Sequence, residues 1–105
     1  MQQNKQDGYV GLEEDRDGGM TYYGRMVMDA RVFGLIDEQE TCKGWPLSRM
    51  QGLIGQVASK WDEYGSIPSQ LPEDLRARHQ AEYDQAIKRA KKDGWDPDAD
   101  LEGEA

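Results

Sequence analysis

The chain contains one cysteine, one histidine and one phenylalanine. A lone Cys42 cannot close an internal disulfide, and cysteine used this sparingly fits a reducing compartment, so the cytoplasm is the expected location. One Cys and one His fall short of the ~4 ligands, usually in paired spacings, that a zinc site needs. No apolar run approaches the ~20 residues that cross a bilayer. The N-terminus is polar and lacks the apolar h-region of a secretory signal. Gly8, Gly11, Gly18 and Gly19 do not form a G-x-x-x-x-G-K-[ST] loop, and no strand leads into them. Neither a metal, a cofactor nor a membrane is therefore expected as a partner.

What is abundant is acid. The formal net charge is −8 and the sequence pI about 4.5. A surface of that sign is a poor match for a phosphate backbone, so direct nucleic-acid binding is not expected. The charge is also unevenly placed. Residues 1–19 carry −3 and residues 95–105 carry −5, together the whole excess, while residues 20–94 are balanced. Both ends are acidic and poor in β-branched residues, so they bury too little apolar surface to offset the entropy of ordering. The expected organisation is a flexible acidic tail over 1–19, a single helical domain over 20–96 and an acidic tail over 97–105. Alternating carboxylates in DPDADLEGE are somewhat like a calcium loop, but they lack its central glycine and flanking helices.

The domain reads as a small all-α bundle of about three helices, over approximately 21–36, 47–64 and 72–93. The last is the plainest. Pro72 suits a first helical position. Glu73 and Asp74 open the helix and Lys88, Arg89, Lys91 and Lys92 close it, complementing its dipole. Leu75, His79, Tyr83, Ala86, Ile87 and Ala90 recur at helical spacing, and Gly94 can close the end. The middle helix carries the stripe Leu47, Met50, Leu53, Ile54, Val57, Ala58, Trp61 and Tyr64. Ser48 and Gln51 have the spacing of a capping box, with Pro46 the competing start. Gly52 and Gly55 would offer a shallow groove to an approaching helix. Residues 65–71 form a short connector of the kind that joins antiparallel neighbours.

Residues 21–37 fit two patterns. Alternation suits a strand. Length favours a helix, one that is apolar on most sides and therefore deeply buried or set in an interface. Helix is the reading adopted. Residues 37–45 are then the longest loop of the core.

Gly-Trp with a proline close behind occurs twice, in KGWPLS (43–48) and in KDGWDPD (92–98). Trp45 precedes a helix and can staple the incoming chain to it, whereas Trp95 follows a closing glycine and can fold back on the last turn. The two copies are shared punctuation, not a repeated site.

Candidate chemistry is thin. Cys42 and His79 could form a nucleophile and base, but no orienting group or oxyanion site accompanies them. His79 falls on the inner face of its helix. The thioethers of Met26 and Met28 could hold Cu(I) only in an extended segment, because on a helix they point apart. The KRAKK cluster (88–92) is explained by the helix dipole. The chain is therefore expected to be non-catalytic: a small regulatory, adaptor or accessory subunit that meets another protein, or a second copy of itself, through an aromatic-rich helical surface. Trp and Tyr are enriched at such hot spots. The expected partner-binding residues are Tyr22, Tyr23, Met26, Phe33, Trp45 and Trp61. Two alternatives remain: an acidic nucleic-acid mimic that inhibits a nucleic-acid-binding protein, and a small ligand-binding protein or enzyme using Cys42 and His79.

Overall fold

The computed structural model describes residues 8–94. It holds three α-helices, α1 (Tyr22–Val32), α2 (Leu47–Asp62) and α3 (Glu73–Lys92), with short 3-10 turns at Leu12–Glu14, Arg16–Gly19 and Pro68–Gln70. The 21–37 segment is helical. Among the described residues α1 packs against α2, α3 and the Arg16–Gly19 turn, which accounts for its being apolar on most sides. Val27, Met28, Ala30 and Val32 are buried in this way and meet Met50, Leu53 and Val57 of α2 and Ala86 of α3 in one core. The connector does not make α2 and α3 close packing partners. α2 rests mainly on α1, whereas α3 packs most extensively against the Arg16–Gly19 turn and then against α1; α2 and α3 touch where Trp61 meets His79 edge-on at 5.7 Å.

The helix ends follow local chemistry. Thr21 caps α1, its hydroxyl accepting from the Gly24 N–H at 3.0 Å. α1 stops at Val32, four residues before the expected 36. Gly34 takes a left-handed φ of 75°, and Leu35 N–H donates to Ala30 C=O at 2.9 Å, which closes the helix. The capping box at Ser48 does not form. The Pro46 carbonyl accepts the first intrahelical bond of α2 from Met50, and the Pro72 carbonyl does the same for α3 from Arg76. Each proline thus stands one residue ahead of its helix. Gly52 and Gly55 face outward, and no element of the described chain approaches them.

The reading of residues 1–19 as a tail fails from Gly8 onward. Leu12 is 2% exposed and belongs to the core. Tyr9 N–H donates to Trp45 C=O at 2.9 Å, Gly44 N–H to Tyr9 C=O at 2.7 Å, and Leu12 N–H to Thr41 C=O at 3.0 Å. The acidic segment is held because its backbone bonds are satisfied by the 41–46 loop and because it can come very close. At Gly18, a Cβ would lie 2.5 Å from the Ala90 backbone nitrogen of α3. At Gly24, a Cβ would overlap the Gly19 carbonyl oxygen. The expected tails at 1–7 and 97–105, and the Trp95 contact, lie outside the described residues.

Candidate functional site

Two features draw side chains from several elements together: a buried carboxylate and an apolar groove. Asp29 is the only acid between residues 18 and 36, and it is 5% exposed. Its Oδ2 accepts from Trp61 Nε1 at 3.0 Å and its Oδ1 from the Tyr83 hydroxyl at 2.8 Å, while His79 Nε2 lies 3.9 Å from Oδ1. Burial raises the Asp29 carboxyl above its ordinary value, against the pull of these two hydrogen bonds and of nearby His79 and Arg25. Burial, and then the Asp29 charge, pushes the Tyr83 hydroxyl up. His79 stacks on Tyr83 with ring centroids 4.6 Å apart. One carboxylate on α1 is thus bonded by donors from α2 and α3. The arrangement is a polar tie between three helices.

Cys42 does not join it. The thiol is fully buried near the charges of Glu40, Arg31 and Arg49, whereas His79 lies against Asp29, Trp61 and Tyr83. Burial, with Glu40 adding, pushes the thiol up to about 11. A nucleophilic cysteine needs the reverse. Among the described residues no group of three or more His, Cys, Asp or Glu is placed to hold a metal ion, and no helix is long and apolar enough to cross a membrane.

The groove runs along the α1–α2 seam. Its larger part, about 820 Å³, lies between the Gly8–Val10 segment and the starts of α1 and α2, lined by Tyr9, Val10, Tyr22, Tyr23, Trp45 and Leu47 among others. A smaller part, about 340 Å³, adjoins it at Tyr22 and is lined by Met26, Ile54, Ala58 and Trp61. Val10, Tyr22 and Leu47 are 49%, 60% and 52% exposed. They are three of the four large apolar side chains that stand out into solvent among the described residues. The walls are built, not loose. Asp15 accepts from the Tyr9 and Thr21 hydroxyls and fixes both. Tyr9 meets Tyr23 edge-on at 5.9 Å. The Arg49 guanidinium lies 3.6 Å over the Trp45 ring.

No family model, curated protein or solved structure matches this chain.

Of the six residues expected at a partner surface, Tyr22, Tyr23 and Trp45 line the larger part of the groove, and Tyr22, Met26 and Trp61 the smaller. Phe33 lines neither. It packs edge-on against Trp61 at 5.2 Å and lies parallel to Tyr64. Sequence reasoning missed Val10 and Leu47 as groove residues, the first because its segment was read as a tail. It also missed Asp29, whose signal was a single acid inside an apolar helix.

Proposed function

We propose that this protein is a non-catalytic interaction protein that docks another protein along the α1–α2 groove. One observation carries the reading: three exposed large apolar side chains from three separate segments converge on one concave surface. Scattered exposed apolar residues are ordinary, whereas a contiguous apolar patch marks an interaction site. The aromatic content suits this use, because Tyr and Trp supply contact area at small entropic cost. Tying Asp29 to Trp61 and Tyr83 supports it further, since the tie sets α2 and α3 on α1 and so holds the groove's walls in register.

The test uses the full chain as bait in extract from its own source, alongside Leu47→Glu and Tyr22→Ala. Both positions are exposed, so both variants should fold. A partner retained by the wild type and lost by both variants is expected. Retention unchanged in both, with helix content equal to wild type, would overturn the reading.

A further inference from the structure

We infer that the larger part of the groove receives an uncharged, extended segment of the partner, which pairs with the backbone of residues Gly8 to Val10 as an added strand. The inference rests on the docking reading above and adds to it how the partner is held. It starts from a backbone edge. Tyr9 turns both of its peptide groups toward the 41–46 loop: its N–H donates to Trp45 C=O at 2.9 Å, and its C=O accepts from Gly44 N–H at 2.7 Å. Gly8 and Pro46 form an antiparallel bridge beside this pair. In an extended chain the peptide groups of successive residues point to opposite edges. Gly8 and Val10 therefore turn their N–H and C=O groups to the other edge. Among the described residues none of these four groups has a backbone partner. A row of unpaired N–H and C=O groups is a template for a further strand.

The edge adjoins the groove. Gly8, Tyr9 and Val10 line its larger part together with Tyr22, Tyr23 and Leu47, and Val10 is 49% exposed. Backbone donors and acceptors thus stand beside an apolar hollow of about 820 Å³. Strand addition needs both features, because main-chain bonds hold the segment and a pocket takes its alternate side chains. A helix would gain nothing from the edge, since its own peptide groups are already bonded within it. Gly8 to Val10 spans about 7 Å, so the paired stretch is short, about three to five residues. Charge favours a neutral occupant. The charged side chains of the lining, Asp15 and Arg16, balance. Asp15 is moreover occupied by the Tyr9 and Thr21 hydroxyls and by the Arg16 N–H. On a chain of net charge −8 this lining is neutral and complements an uncharged segment. A charged side chain entering the hollow would lose water and find no free counter-charge.

The probes are seven-residue peptides selected from a random phage-displayed library on the full-length protein. Each recovered sequence is synthesised with a single N-methyl group placed in turn on successive backbone nitrogens, and binding is read by fluorescence anisotropy. Uncharged peptides with large apolar residues at alternate positions are expected. N-methylation should weaken binding about tenfold at every second position and little at those between, because only alternate N–H groups face the edge. Val10→Pro should also weaken binding about tenfold. The Val10 N–H has no backbone partner among the described residues, so proline there removes a donor to the peptide and breaks none of those bonds. Circular dichroism should show the helix content of wild type. Peptides that are lost with Leu47→Glu but are indifferent to N-methylation overturn strand addition and leave the docking reading standing. Selection of charged or helix-patterned peptides overturns the inference in the same way. No enrichment on wild type over Leu47→Glu overturns the extended occupant, and the variants of the capture experiment above judge the groove separately.

Discussion

Replacing Gly18 by alanine tests whether the acidic N-terminal segment is part of the fold. Two costs add there. Gly18 has φ of +63°, and a Cβ in the left-handed region costs about 1–2 kcal/mol. The new carbon would also stand 2.5 Å from Ala90 N, 2.8 Å from Arg89 C and 2.9 Å from Ala90 Cα. All three are backbone atoms of α3, so no side chain can swing aside, and overpacking of this kind costs about 1–3 kcal/mol more. The sum is about 2–5 kcal/mol, a large part of the ~5–15 kcal/mol that holds a small domain together. Gly65 supplies the control. Its φ is +65° and nothing lies within 4 Å of its would-be Cβ, so Gly65→Ala should show the backbone strain alone. Thermal and urea unfolding should give a midpoint lower by about 4–8 °C for each kcal/mol lost. The expected result is a much larger fall for Gly18→Ala than for Gly65→Ala. Equal falls would mean that residues 8–19 do not dock on α3, and would refute the reasoning.

Three further outcomes follow from the buried groups and the groove. Because burial raises the Asp29 carboxyl in the fold, the folded state binds its proton more readily than the unfolded chain. The ionised group therefore costs stability above its raised value, and that cost disappears as pH falls toward the ordinary carboxylate value. Urea unfolding against pH should accordingly show the stability of wild type minus that of Asp29→Asn rising as the solution is acidified through that interval; a difference that stays flat or falls contradicts the direction. Cys42 should resist a thiol reagent in the native protein near neutral pH. Its shift from 9.0 to about 11 alone lowers the thiolate fraction about 100-fold, and reactivity should return in urea; rapid native labelling would contradict the buried placement. Leu47→Glu should change stability by no more than about 0.5 kcal/mol, as exposed sites do, and a larger loss in calorimetry would place Leu47 in the core instead of on the groove.

The helices were readable where several local signals agreed. α3 shows this best, with acids at its start, bases at its end and Gly94 beyond. α1 was readable as a helix but not in its orientation. Its residues are apolar nearly all round, and pattern alone cannot say that Val27 and Met28 point inward while Tyr22 points out. The N-terminal segment was misread for a physical reason. Its place in the fold depends on backbone pairing with 41–46 and on glycines that permit close approach, and neither raises the apolar content by which folded segments are recognised. Leu12 is its single fully buried large side chain. Five of the six aromatic and methionine residues expected at a partner surface line the groove, because amphipathic rings suit such walls. Phe33, with no polar handle, stacks inside the α1–α2 contact instead.

The central claim is that the α1–α2 groove is the surface that meets a partner. Site-directed photo-cross-linking tests it most directly, with the reactive side chain placed at Leu47 in the groove or at Ala77, exposed on α3. A discrete adduct formed from Leu47 and not from Ala77, and abolished by Tyr22→Ala, is the predicted result. Adducts from Ala77 alone, or none from Leu47 while the partner remains bound, would contradict the account.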